Sequence, residues 1–213
     1  MEREQKLTVN SHILRTYPLS SWAGIVVLGV LGGALVVLND AYLQLPLFLD
    51  TIGTLVAAAA FGALPGAVTA IVTHLSVEVV HGFYMEMLPW VGVNIASAVV
   101  MGIMVQRGRF STPVDAVAAI VLITLVNAVL GAIIAAVIFT GGTGHQVDYL
   151  VSSFIAIGQN LTSASFWARL PMNVIDKGIA VLIAYLVKLL WFDRWSGERP
   201  HSQEERTRKP RQG

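Results

Sequence analysis

Six long runs of apolar residues, separated by short polar breaks, dominate the chain. They cover about Leu19–Leu38, Leu45–Phe61, Leu64–Val80, Leu88–Val105, Val114–Phe139 and Leu170–Phe192. Several approach the ~20 residues that carry a helix across a bilayer. Backbone groups in lipid find no water, so these runs are expected to be helical. The second and third are short, and Gly62-Ala63-Leu64-Pro65-Gly66 joins them as a tight turn without room for a soluble loop. The segment Asp148–Ala168 is only moderately apolar. As a seventh span it would place either the C-terminal tail or Arg107 and Arg109 on the far side, so it is expected to lie on, or dip into, the outer face.

The basic residues give an orientation. Arg3, Lys6 and Arg15 precede the first run, Arg107 and Arg109 lie between the fourth and fifth, and six of the fourteen Lys and Arg follow the sixth. With six crossings all of these share one face, the cytoplasmic one, and Lys188 can snorkel to it. The loops assigned outside, Asn39–Gln44 and Val80–Met87, hold no Lys or Arg, and only Arg169 and Lys177 break the rule. The expected fold is therefore an all-α integral membrane protein, six transmembrane helices in one bundle with both termini cytoplasmic. Residues 1–18 form a cytoplasmic segment, 19–192 the membrane domain, and 193–213 a basic tail that meets anionic lipid.

Composition agrees and narrows the classes. Of 213 residues, 55% are hydrophobic and 13% charged, about half the ~25% charge of soluble domains. That excludes a soluble enzyme, a disordered tail and a nucleic-acid module. The absence of cysteine excludes disulfides, thiolate metal sites and cysteine nucleophiles. The first apolar run is too long for a signal-peptide core.

Against this background each ionisable residue within a span is a candidate for function. Asp50 falls in the outer third of the second run and Asn94 in the outer part of the fourth. His74, Glu78 and His81 share one face at the outer end of the third, and Arg169, Asn173 and Asp176 share one at the start of the sixth. Asn127 is the mid-depth exception. The inner stretches Leu55–Phe61 and Val99–Val105 are almost wholly apolar. This arrangement reads as a pocket open to the outside, not a pore, which needs polar groups at every depth. Asp40, Tyr42, Gln44, Tyr84, Glu86 and Trp90 supply possible covers. Tyr42, Tyr84 and Trp90 either belong to the interfacial belt or stack on a planar ligand. Arg169, Asp176 and Lys177 can equally pair within the bundle, Lys177 with Asp50 or Glu78. His74, Glu78 and His81 carry donors suited to zinc or nickel but lack an obvious fourth ligand. The small residues of Gly29-x-x-x-Gly33, and of Ala128, Ala132 and Ala136, serve internal packing or a docking surface. Gly141-Gly142-Thr143-Gly144 lacks the Lys-Ser/Thr of a phosphate loop and reads as an outer turn. No catalytic motif and no cofactor site emerge, and the chain carries no ATPase signature of its own.

Two strings carry a family resemblance. Pro46-Leu47-Phe48-Leu49-Asp50-Thr51-Ile52-Gly53-Thr54 followed by Ala58–Ala67, and Gly141–Gly144 followed later by Asn173–Leu182, resemble the substrate-binding (S) components of energy-coupling factor transporters. The resemblance covers roughly residues 20–192. It implies a six-helix protein that captures a vitamin or related micronutrient from outside and docks on a transmembrane coupling subunit with two ABC-type ATPases, in a bacterial-type cytoplasmic membrane. The family's small-residue docking surface on helix one has its nearest match in Gly29 and Gly33. The expected substrate contacts are Asp50, His74, Glu78, Asn94, Arg169, Asn173 and Asp176. The alternatives are a ligand-sensing membrane domain or interaction subunit without transport, and a metal-dependent membrane protein.

Overall fold

The computed structural model describes residues 19–192 of the chain, and the side chains of 21–190. The expected cytoplasmic segment 1–18 and basic tail 193–213 lie outside the described residues. Seven α-helices follow one another: α1 Leu19–Leu38, α2 Ile52–Phe61, α3 Ala63–His81, α4 Leu88–Gln106, α5 Pro113–Val137, α6 Asp148–Ala156 and α7 Leu161–Val187. A π-helical turn, Asn39–Leu43, extends α1, and a second, Lys188–Phe192, extends α7. Among the described residues there is no strand. Five helices are long and apolar enough to cross a bilayer, namely α1, α3, α4, α5 and α7 with their extensions.

The second expected span differs from its reading. Leu45–Phe61 is helical only from Ile52, and ten residues make a helix of roughly 15 Å, half the depth of the ~30 Å hydrocarbon core. Residues 44–51 run irregularly over its N-terminal end. The Asp148–Ala168 segment also divides. Its first half is the short α6, while residues from Leu161 onward form the opening turns of α7, which begins nine residues before the expected Leu170. Gly158, at φ +93°, ends the turn after α6, and Asn160 starts α7 by accepting the Ser163 N–H at 2.9 Å. At the other end of the bundle, α5 opens with a capping box: the Asp115 N–H donates to Thr112 Oγ1 at 3.2 Å, and the Thr112 N–H donates to Asp115 Oδ2 at 3.0 Å. Between α2 and α3 the turn is shorter than expected. Gly62 alone separates the helices, at φ +99°, and Pro65 falls in the first turn of α3, where its missing N–H has no helical partner to lose.

The helices pack in sequence around α2. Helix α1 lies on α3, α3 on α4, α4 on α5 and α5 on α7, while α2 touches α1, α3, α4 and α7. Seven of the ten α2 residues are buried. The main apolar core joins Leu55, Ala58 and Ala59 of α2 to Met101 of α4, Ala119 and Ile123 of α5, and Ala180, Val181 and Ala184 of α7. A smaller cluster, Val147, Val151, Ala164 and Ala168 with Phe48, fastens α6 to the start of α7. On the outside of α5, Val117, Val121, Leu125, Val129 and Ile133 form an exposed i, i+4 stripe. Such a stripe suits lipid.

Gly29 and Gly33 lie inside the bundle. A Cβ on Gly29 would stand 2.6 Å from Val72 Cβ, and one on Gly33 would stand 2.7 Å from Ser76 Cβ and 2.9 Å from the Thr73 carbonyl. The pair lets α1 and α3 approach closely. This is the internal-packing alternative for the pair, and Gly33 also lines an open groove with Val30, Ala34, Ser76 and Val79.

Candidate functional site

Irregular backbone at membrane depth is tolerated only where protein takes up its polar groups, and residues 44–51 meet that condition through three side chains. Asn39, just past the end of α1, donates from Nδ2 to the Leu45 and Leu47 carbonyls at 3.1 and 2.8 Å and accepts the Leu45 N–H at 3.1 Å. Asn94 of α4 donates to the Asp50 carbonyl at 3.0 Å, and Asp176 of α7 accepts the Leu49 N–H at 2.8 Å. The segment is thereby tied to α1, α4 and α7, and it holds Phe48 and Asp50 over the middle of the bundle.

An ionic cluster lies beneath it. Lys177 Nζ donates to Asp50 Oδ1 at 3.1 Å and to Thr51 Oγ1 at 3.0 Å, and forms an ion pair with Asp176 Oδ2 at 2.6 Å. His74 Nε2 approaches Asp50 Oδ2 at 3.6 Å, and His74 Nδ1 lies 3.0 Å from the Ala70 carbonyl. A buried pair of this kind is held in place because removal of either partner leaves an uncompensated charge.

Beside the cluster is a chamber of ≈ 50 Å³, lined by Asp50, His74, Trp90, Asn127, Gly131, Arg169, Asn173 and Lys177 among others. Arg169 is 1% exposed. Its guanidinium carbon lies 5.7 Å from the Trp90 ring centre, and Trp90 stacks on Phe139 at 5.5 Å and 14°. Gly131 leaves the space alongside, since a Cβ there would come within 3.3 Å of Arg169 Cδ. A wider vestibule of ≈ 200 Å³ adjoins the chamber. The two share Asp40, Leu47, Phe48, Met87 and His145 as common wall. His145 meets Phe48 and Trp90 edge-on at 6.0 and 6.1 Å. Burial holds its imidazole below the ordinary value, against the pull of Asp40 and Asp148.

Among the residues expected to contact substrate, Asp50, His74, Arg169 and Asn173 come together around the chamber, and so does Trp90. Three others are engaged elsewhere. Asn94 and Asp176 hold the 44–51 backbone, and Glu78 accepts the Met85 and Met87 N–H groups at 2.9 and 2.6 Å, ordering the loop between α3 and α4. The face of His74, Glu78 and His81 does not converge on one point: His74 turns to Asp50, Glu78 to the loop, and His81 lines the vestibule. Among the described residues no group of His, Asp and Glu side chains is placed to hold a metal. Tyr42 and Tyr84 are 79% and 77% exposed and lie outside the chamber. Lys177 makes the pairing with Asp50 that was one of its two expected alternatives. Phe48, Gly131, Phe139 and His145 are additions that polarity and motif spacing did not single out. Only the histidine directly after the Gly141–Gly144 turn offered a signal.

A family model for the substrate-specific component of ECF transporters matches residues 24–188 of the chain. No curated protein matches it, and no solved structure does.

Proposed function

The chain belongs to the substrate-specific components of ECF transporters, and from that premise we propose that it captures a vitamin or related micronutrient from outside the cell in the chamber lined by Trp90 and Arg169. Members of this family are membrane substrate-binding subunits, not enzymes, and they work with a module of a transmembrane subunit and ATPases. One observation carries the reading: a chamber whose wall brings Asp50, His74, Arg169, Asn173 and Lys177 together lies above an alanine-rich apolar core. Such a cavity binds a small molecule and does not conduct one. Arg107, Arg109 and Lys188 sit at the opposite end, which supports a cytoplasmic base and an outward mouth. In this reading Asp50, His74 and Lys177 set the polarity of one wall, Trp90 supplies a ring face, and Asn173 and Asn127 add amide groups. The micronutrient then passes inward through the ATP-driven module.

The test is to purify the protein, release any retained compound and identify it by mass spectrometry. A vitamin-like compound in roughly equimolar amount is the expected result. Retention of nothing, together with no micronutrient binding tighter than micromolar, removes the reading.

A further inference from the structure

The two buried cations of α7 are partnered to different degrees, and the difference bears on what the chamber holds. Lys177 donates to Asp50 and Thr51 and forms ion pairs with two carboxylates, Asp50 and Asp176. Arg169, equally buried, has no hydrogen-bond partner at Nε or Nη1. Its remaining nitrogen makes only long contacts, 3.4 Å to Thr143 Oγ1 and 4.0 Å to Asp148 Oδ1. Asp148 is held in another role. Its carboxylate accepts the Thr143 N–H at 2.7 Å, the Thr143 hydroxyl at 2.8 Å and the Gly144 N–H at 2.9 Å, and so shapes the 141–144 turn. Buried donors without acceptors are costly, more so on a charged group. A guanidinium has five N–H donors and no other way to meet them.

The surroundings name the missing partner. Of the two carboxylates in the chamber wall, Asp50 is committed to Lys177 and His74, and Asp40 lies on the wall shared with the vestibule. The Trp90–Phe139 stack gives a flat apolar surface next to the guanidinium, and Gly131 keeps the space open. We propose that the compound taken by this chamber is an organic anion with a planar ring, whose carboxylate, phosphate or sulfonate oxygens are held by Arg169 while the ring lies against Trp90. Charge-assisted hydrogen bonds from arginine to such oxygens are the strong ones. The inference rests on the capture reading above and adds the charge of the captured compound.

The test uses acids and their uncharged isosteres on the full chain in detergent, freed of retained compound. Benzoate and nicotinate are compared with benzamide and nicotinamide through the thermal unfolding midpoint and through Kd. The acids are expected to bind at least about tenfold more tightly than the amides, the factor expected of one charge-assisted hydrogen bond. Arg169→Gln removes that preference, and Arg169→Lys restores part of it. Because Nε and Nη1 of Arg169 have no acceptor, Arg169→Gln leaves the midpoint of the empty protein unchanged or raised, whereas a purely structural arginine would lower it. Equal binding of acid and amide, or no response to either, overturns the proposal. So does release of a neutral or cationic compound from the purified wild type, and that outcome leaves the capture reading standing. No retained compound and no micronutrient binding removes both.

Discussion

Lys177 and Arg169 lie two turns apart on one helix, and the paired lysine makes a prediction of its own. Lys177→Met leaves Asp50 and Asp176 buried without their shared cation. Breaking such a cluster from one side costs about 3–5 kcal/mol, read as a lowered midpoint in denaturant or heat. Adding Asp50→Asn is expected to recover part of the loss, since the two residues are in contact and their effects do not add. His145 gives a pH dependence with a definite sign. Burial depresses its native value, so between that value and roughly 6.5 the unfolded chain binds the extra proton. Stability is then full above about pH 6.5 and falls as the pH descends through the native value. Thermal scans from pH 7.5 to 5.5 are expected to show this decline, and His145→Gln flattens it.

At the scale of the elements, the segment before α2 decides the architecture. Asn39 satisfies three backbone groups of residues 45–47 by itself. Asn39→Ala is expected to raise amide hydrogen exchange at 45–49 while leaving α3 to α5 protected, with a stability loss of about 1–3 kcal/mol for a buried group left unpaired. This element also marks the limit of what sequence patterning reveals. The five long helices were legible because apolar runs near 20 residues have one stable form in lipid. The unwinding of Leu45–Thr51 was not, although the run contains Pro46 and Asp50. Its hydrogen bonds come from Asn94 and Asp176, distant in the chain, and local periodicity carries no trace of them. For the same reason the backbone partners of Asn94, Asp176 and Glu78 were not legible: polarity at depth marks a costly group but not the partner that satisfies it. Asp50, His74, Arg169 and Asn173 converge on the chamber because they lie at the same depth on neighbouring helices. The opening turns of α7 escaped because Arg169 interrupts the apolar window, and Phe48 and Phe139 escaped because an aromatic ring in a membrane chain is ordinary.

For the whole molecule, the position of charge gives an orientation that is simple to measure, since the chain has no cysteine to remove. Tyr84→Cys, on the chamber end, is expected to react with an impermeant maleimide on intact cells. Gly108→Cys, in the turn between α4 and α5, is expected to react only after permeabilisation; the reverse pattern inverts the topology. The two ends also divide the labour of the fold. The main apolar core and the chamber lining have no residue in common, although α4, α5 and α7 contribute to both. Mutations that reshape the chamber away from the Asp50–Lys177 cluster therefore leave the packing that holds the helices together largely untouched. A chain built this way can exchange one cargo for another through a few substitutions at its mouth, and a designer seeking new selectivity can treat the alanine-rich half as a fixed chassis.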